Sequence, residues 1–407
     1  MKNTYSSPQR FFLSFLLVMA VIGTGSAHQE MPIIAYWGVP EQHNTVEEFK
    51  TFSECGFTVS LFPYSSLDKL VAACRNADKY GIKIIGKCPE MTDLPQTTAT
   101  TLKKENGFFG YLLQDEPSAP EIRQQEKYIA NLKQFDSTHV FYINLLPYSK
   151  PEWVEGSTKV KTYPEYLKVA SSTSCQQLSF DIYPITTDGI RPTWYHNLEM
   201  IRQESLASRK PFWGFALSMP HDVPFTPDCY YPDPTLASLR LQIYSNLAYG
   251  AQAIQYFTYW TPGNDSEFHF HDAPMSYDGD KTKNYAVVQN MNSELRTVAR
   301  LFYGAKVLSV HHLGAIPVGT TRQTEMPENV KSLKIVGRQG AIISQFEKDG
   351  NRYLAIVNKS HEEALTVRIR TRNDIPRRIT KDLQEESMKI NYQITAGDIL
   401  IFRIKTA

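Results

Sequence analysis

The sequence predicts an α/β fold: a (β/α)₈ barrel (TIM barrel) followed by a small all-β sandwich. Short apolar runs typical of buried parallel strands alternate with helix patterns as far as Leu301. Beyond Gly304 the chain has only short strand patterns joined by glycine-containing turns. With 407 residues, the chain is long enough for one large and one smaller domain.

The barrel prediction depends on eight strand patterns that are joined by eight crossovers. The predicted strands are 33–37, 57–62, 82–86, 108–113, 140–144, 177–183, 212–217 and 253–259. The predicted helices are 45–55, 66–80, one that reaches 135, 163–171, 194–207, 236–248 and 285–301. Thr45-Val46-Glu47-Glu48 has the spacing of a capping box, and Gly56 and Gly81 are typical of helix ends. This number and order of elements is typical of a (β/α)₈ barrel.

The C-terminal region is predicted to be an antiparallel sandwich. Its predicted strands are 307–310, 333–336, 341–346, 353–358, 364–369 and 398–404. Turns are predicted at 337–340, 348–351 and 395–397 because these segments are rich in glycine, asparagine and aspartate. We therefore expect the barrel to occupy residues 28–304 and the sandwich residues 305–407.

Residues 1–27 are expected to be a secretory signal peptide. Lys2 and Arg10 precede the apolar stretch 11–22, and Gly25-Ser26-Ala27 supplies small residues at a cleavage site. The apolar stretch is too short to span a bilayer comfortably. The sequence thus predicts an exported protein, periplasmic or extracellular, with no integral membrane span.

The composition argues against several kinds of partner. Lys and Arg total 43 against 42 Asp and Glu, and no dense basic stretch occurs, so nucleic acid is not expected to bind. The five cysteines fit no zinc pattern, and their odd number leaves at least one thiol free, although one disulfide is conceivable. His269 and His271 alternate in a loop without a third ligand, so we expect no metal and no cofactor.

Two adjacent acids lie where a strand pattern gives way to a helix pattern. The apolar run 108–113 precedes Gln114-Asp115-Glu116-Pro117, and a capping-box spacing with an early proline follows at 118–121. In a (β/α)₈ barrel, the carboxyl ends of the strands form the catalytic face. Cleavage of a glycosidic bond requires a carboxylic acid at such a site. We predict that Glu116 is the general acid; the alternative is an acid favoured at a helix start by the helix dipole.

Asp181 is the predicted second carboxylate. A lone acid within a buried strand is costly unless it is paired or functional. Asp181 would act as a nucleophile, as the base that activates water, or as a substrate clamp. The structural alternative is a salt bridge to Lys87 or to another cation at a strand end.

Five further residues near strand ends are predicted to bind a sugar: Trp37, Asp115, Asn144, Tyr183 and Trp260. The two tryptophans suit stacking on pyranose rings, and would be equally at home in a core. Asp115 is expected on the side of the backbone opposite to Glu116, because neighbours alternate in an extended chain. There it would orient a hydroxyl or acetamido group of the substrate, or cap a loop.

Several stretches together resemble the retaining glycoside hydrolases with barrel folds, particularly the family 42-like β-galactosidase superfamily and its exported relatives. They are 111–117, 180–184, 248–251, 256–260, 283–301 and 397–402. The resemblance implies hydrolysis of an oligo- or polysaccharide. It also implies a strand-four glutamate as acid/base, which maps to Glu116.

The sequence departs from that superfamily in two places. The superfamily has a nucleophilic glutamate after strand seven, but here the chain continues Ser218-Met219-Pro220-His221-Asp222. In addition, Asp115 stands where asparagine is usual. Three possibilities remain open. Asp181 or Asp222 supplies the second carboxylate; Asp115 and Glu116 act as in the substrate-assisted hexosaminidases, in which the acetamido group is the nucleophile; or the protein binds glycan without cleaving it.

Overall fold

The computed structural model describes residues 30–223, 226, 228–264 and 268–405. The predicted signal peptide and its cleavage site lie outside these residues, as do Asp265 and Ser266 of the long loop after strand eight.

Eight parallel strands close into a barrel, which confirms the predicted fold class. In chain order they are Ile33–Tyr36, Val59–Pro63, Lys83–Lys87, Phe108–Asp115, Val140–Leu145, Leu178–Phe180, Phe212–Leu217 and Ala253–Phe257. The first strand pairs with both the second and the eighth, so this sheet has no edge. The carboxyl ends of all eight strands therefore surround one mouth.

Helices surround the barrel and fill the crossovers. They are Val46–Glu54, Leu67–Asp78, Glu90–Asp93, Pro95–Leu102, Ala119–Lys133, Pro151–Thr158, Tyr163–Ser171, Trp194–Ser208, Leu236–Tyr249 and Lys283–Phe302. The helices at 90–93, 95–102 and 151–158 were not predicted, because each is too short to show a clear apolar period. Within the described part of the chain, none of the helices combines the length and apolar character that a membrane crossing requires.

Two antiparallel sheets follow the barrel, which confirms the predicted all-β region. One sheet has the order Lys306–Leu313, Ala341–Lys348, Asn351–Asn358, Ile399–Lys405, Arg377–Ile379 and Glu385–Glu386. The other has the order Val330–Val336, Leu365–Thr371 and Asn391–Ile394. Residues 377–379, 385–386 and 391–394 were not predicted as strands, since they are short and carry charged or polar residues.

The six-stranded sheet packs directly on the barrel. Its buried side chains, among them Ile342 and Phe346, belong to the same apolar cluster as the barrel core. The Ser344 hydroxyl donates a hydrogen bond of 2.7 Å to the Ala248 carbonyl, at the end of a barrel helix. At Gly397 a Cβ atom would lie 2.1 Å from the Ala237 carbonyl oxygen, so this close approach requires glycine. The two regions therefore share one continuous apolar core.

All five cysteines are buried and none forms a disulfide. Burial raises the pKa of the Cys175 thiol to about 11 and that of Cys88 to about 12. They pack as small apolar side chains.

Candidate active site

A β-bulge in the fourth barrel strand aims Asp115 into the barrel. The pairing with strand five shifts by one residue between Leu112 and Gln114. Leu112 packs inside the barrel, whereas the Gln114 amide donates to Glu121 at 3.2 Å and its oxygen accepts from Gln125 at 2.7 Å, both on the following helix. Without the extra residue, strict alternation would place Gln114 inside and Asp115 outside. The bulge thus decides which side chain faces the mouth.

Glu116 ends the strand in a left-handed conformation with φ of 45°. This conformation is uncommon for a residue with a side chain and is frequent at functional sites. Its amide N–H donates to the Asn144 carbonyl at 2.9 Å, which fixes the backbone at this corner. That Asp115 and Glu116 lie on opposite sides of the backbone stays a prediction. The charge of Asp115 acts on Glu116 and raises its pKa.

Asn144 brings two carboxylates together in front of Glu116. Its Nδ2 atom donates to Asp115 Oδ1 at 3.1 Å and to Asp181 Oδ1 at 3.0 Å. The Tyr36 hydroxyl is directed at the Asp115 carboxylate, and the Tyr183 hydroxyl at that of Asp181. Asp115 and Asp181 therefore each accept hydrogen bonds from two side chains, and each also accepts one from a backbone N–H group. Among the described residues, none donates a hydrogen bond to the Glu116 carboxyl group.

The three acids affect one another's pKa values. Burial in the barrel wall raises the pKa of Glu116 well above its usual range, and the charges of Asp181 and Asp115 raise it further. Burial also raises the pKa of Asp181, as does the charge of Asp115, while hydrogen bonds from Tyr183 and Asn144 act in the opposite direction. The Asp115 and Glu116 side chains stay open to solvent on one side, which screens part of this repulsion.

Asp181 has no cation as its partner. The Lys87 ammonium group instead donates to the Leu113 carbonyl at 3.0 Å, so the salt bridge considered as the structural alternative is not formed. Within the described ranges, no Lys, Arg or His lies within ion-pair distance of Asp115, Glu116 or Asp181. A protonated glutamic acid is the arrangement that this charge balance favours.

A buried polar layer beneath the acids holds Asn144 in place. The Ser179 hydroxyl donates to Asn144 Oδ1 at 3.0 Å, and the Gln255 amide donates to Ser179 Oγ at 2.8 Å. The Tyr142 hydroxyl donates to Gln255 Oε1 at 2.7 Å. Because the Asn144 oxygen accepts from Ser179, its nitrogen must face the two aspartates. This layer and Tyr36 were not predicted. Every second side chain of a strand faces the same way, so counting back from Asn144, from Asp181 and from the end of strand one points to them.

The two tryptophans differ in how they lie at the mouth. Trp37 is partly exposed, has φ of 60° and packs its ring 4.8 Å from that of Phe62. Trp260 is only 2% exposed: its ring lies 4.4 Å from that of His43, and its indole N–H donates to the Tyr277 carbonyl. The Trp260 backbone N–H donates to the Trp37 carbonyl. Trp260 is therefore covered, and Trp37 offers the accessible ring.

No acid side chain enters the mouth directly from the end of strand seven. Ser218 is buried and donates to the Thr258 carbonyl at 2.6 Å. His221 is also buried, and burial lowers its pKa to about 4. Asp222 lies further out, where its carboxylate pairs with His269 Nδ1 at 2.7 Å. Of the two candidates for a second carboxylate, only Asp181 lies beside Glu116.

No group of three or more histidine, cysteine or acidic side chains arranged to hold a metal ion occurs in the part of the chain that is described. His269 is engaged by Asp222, and the His271 backbone N–H donates to the Pro220 carbonyl.

Solved structures with a similar fold include glycoside hydrolases. No protein-family profile matches the chain, and no curated protein matches it. A catalytic mutant of a GH42 β-galactosidase from G. stearothermophilus has a TM-score of 0.62 at 8% identity, covering 92% of this chain and 98% of that one. For a family 5 glycoside hydrolase from Bacteroides vulgatus the TM-score is 0.55 at 11% identity, covering 92% and 89%.

A β-galactosidase from the psychrophilic Marinomonas ef1 has a TM-score of 0.51 at 10% identity, and the match covers 66% of this chain. The chain spans 60% of the length of that enzyme. At such low identities the likeness concerns the fold, and any role of individual residues must be argued from the site itself.

Proposed function

We propose that this protein is an exported glycoside hydrolase that cleaves O-glycosidic bonds of an oligo- or polysaccharide, with Glu116 as the general acid. One observation carries the proposal: no described residue donates a hydrogen bond to the Glu116 carboxyl group, whereas the two carboxylates that act on it, Asp115 and Asp181, both accept one. The neutral form of Glu116 is therefore favoured near neutral pH, which a general acid requires. The glycoside hydrolase fold of its structural neighbours supports the same reaction class.

Asp181 is the second carboxylate in this proposal. Two donors, Asn144 and Tyr183, fix its position beside Glu116. It would attack the anomeric carbon, or activate water, while Glu116 protonates the departing oxygen. Trp37 would stack on the sugar, with the covered Trp260 supporting its backbone, and Asn144 and Tyr183 would hold the acids and contact hydroxyl groups.

A second mechanism is favoured by the fixed position of Asp115. This aspartate adjoins Glu116 and is held by Asn144 and Tyr36, while strand seven ends at a buried serine. Such an aspartate could orient the acetamido group of an N-acetylhexosamine, whose oxygen would then replace the enzyme nucleophile. Faster cleavage of aryl N-acetylhexosaminides than of the parent aryl hexosides would support this mechanism. A glycan-binding protein without turnover is the remaining alternative.

The test is Glu116→Gln, assayed on aryl glycosides with poor and good leaving groups. The amide is nearly isosteric but supplies no acidic proton, so we expect a loss on the order of 10²-fold or more with the poor leaving group. The loss should be much smaller with a good leaving group, which departs without protonation. Glu121→Gln, on the adjoining helix, is the matched control. Equal and small losses for both substrates would remove Glu116 from the acid role.

A further inference from the structure

Near Asp181 and Tyr183, the aromatic side chain of Tyr231 holds an arginine, Arg191. The Tyr183 ring lies 5.8 Å from that of Tyr231, and the Tyr231 ring lies 4.5 Å from that of His221. Arg191 places its guanidinium over Tyr231, with Cζ 5.2 Å from the ring centroid, and its Nη2 atom donates to the Tyr231 hydroxyl at 2.7 Å. These two contacts orient the cation.

Arg191 has no carboxylate partner among the described residues. Its Nε atom is buried without an acceptor, and no acceptor for its Nη1 atom lies in the described ranges. The other arginines packed on the barrel helices differ in this respect: Arg202 pairs with Glu199 at 2.9 Å and Arg240 with Glu294 at 2.6 Å. A partly buried guanidinium that lacks an anion is costly, and a ligand that supplies the anion would recover that cost.

The acids of the mouth mean that an anionic ligand needs a cation nearby, and Arg191 can supply it. The charges of Asp115, Glu116 and Asp181 all act on the Tyr183 hydroxyl, and those of Asp181 and Arg191 act with opposite effects on the pKa of the Tyr231 hydroxyl. An acidic sugar entering this mouth would be repelled by the carboxylates unless its own charge were met by a cation. The planar fork of an arginine matches a carboxylate better than a neutral hydroxyl.

We propose that Arg191 selects a glycan with a carboxylate-bearing sugar, such as a hexuronic acid, next to the bond that is cleaved. The Nη1 and Nη2 edge binds the carboxylate, while Tyr231 keeps the guanidinium at the mouth. That this bond is cleaved rests on the proposed hydrolase function. Binding of the acidic sugar by Arg191 does not depend on turnover.

The experiment measures binding of neutral and acidic oligosaccharides, matched except for a 6-hydroxymethyl or 6-carboxylate group, to the full-length Glu116→Gln protein. Calorimetric titration should show preference for the acidic member. Adding Arg191→Met should weaken acidic binding about 10- to 100-fold and change neutral binding less than about twofold. Arg191→Lys, which keeps the charge without the fork, should recover part of the loss. Arg300→Met, an exposed position on the last barrel helix, is the control for net charge.

Three outcomes separate this inference from the proposed function. Equal affinity for both sugars, or an equal loss of both in Arg191→Met, would overturn the selection of an acidic sugar even if wild-type protein cleaves neutral glycosides. A third oligosaccharide with a 6-sulfate group is titrated in the same way. If it binds more tightly than the 6-carboxylate oligosaccharide, the assignment of the ligand as a hexuronic acid is overturned. Arg191-dependent binding of acidic glycans without turnover would support the inference while the hydrolase proposal fails.

Discussion

Two clusters of carboxylates in this molecule have opposite electrostatic surroundings. At the seam between barrel and sandwich, Glu294 accepts hydrogen bonds from Arg240, Tyr244 and Lys381, and Lys381 also bonds Asp398. Burial there would raise the pKa of Glu294, but these hydrogen bonds outweigh it and lower the pKa. At the mouth the pKa of Glu116 is raised, first by burial and then by the charges of Asp181 and Asp115, and no described donor or cation acts in the opposite direction.

The two clusters of carboxylates suit different roles. At the seam every acid is met by a cation, so the charged forms are favoured and join two parts of the fold. At the mouth Asp115 and Asp181 share the Asn144 donor, and no cation among the described residues pairs with any of the three acids, so Glu116 is favoured in its protonated form. Perturbed carboxyl groups of this kind concentrate at catalytic sites, whereas neutralised ones serve stability. The predictions below test this division, from the largest expected effect to the smallest.

Asp181→Asn should lower the single-turnover rate with a good leaving group by on the order of 10²-fold. The amide can still accept from Asn144 and Tyr183, so the fold should be unchanged, but the negative charge beside Glu116 is lost. Asp222→Asn is the matched control, because Asp222 pairs with His269 at the rim. A near wild-type rate for Asp181→Asn together with an inactive Asp222→Asn would reverse the assignment of the second carboxylate.

Glu294→Gln should destabilise the protein by about 2 kcal/mol, between the values typical of surface and fully buried pairs, and leave kcat/KM unchanged. The cations Arg240 and Lys381 would each lose a charged partner. Glu105→Gln, which removes the partner of the exposed Arg75, should destabilise the protein less than Glu294→Gln does. Thermal unfolding and steady-state kinetics of both variants measure the difference. A seam variant that unfolds normally but loses activity would contradict the division of roles.

Glu116→Gln should be slightly more stable than the wild type at pH 8, on the order of a degree or two in Tm, and lose this advantage near pH 4. The folded pKa of Glu116 is raised above its unfolded value of about 4.3. The protonated carboxyl therefore contributes stability that is present below the unfolded pKa and is lost as pH rises through the folded pKa. The amide does not titrate. If the difference in Tm were the same at both pH values, the pKa of Glu116 would not be raised in the folded protein.

Much of the fold followed from local patterns. The barrel strands, most of the helices and the antiparallel region were predicted because strand and helix periods, caps and turn residues are properties of neighbouring positions. The same logic placed Asp115 and Glu116 at the end of strand four and Asp181 at the end of strand six. Trp260 is a residue for which local patterns were not sufficient. Its position after strand eight suggested an accessible ring, but the loop that carries Tyr277 covers it.

The sequence by itself determined which residues follow the carboxyl ends of the barrel strands, and the tertiary structure decided which of them face the mouth and what they contact there. The bulge near Leu113 turns Asp115 inward, and Glu116 follows it in a left-handed backbone conformation. Asn144 then joins Asp115 to Asp181 across three strands. These features depend on register and on contacts between residues far apart in the chain. They arise only when the sheet closes, because closure alone fixes which side chains face one another.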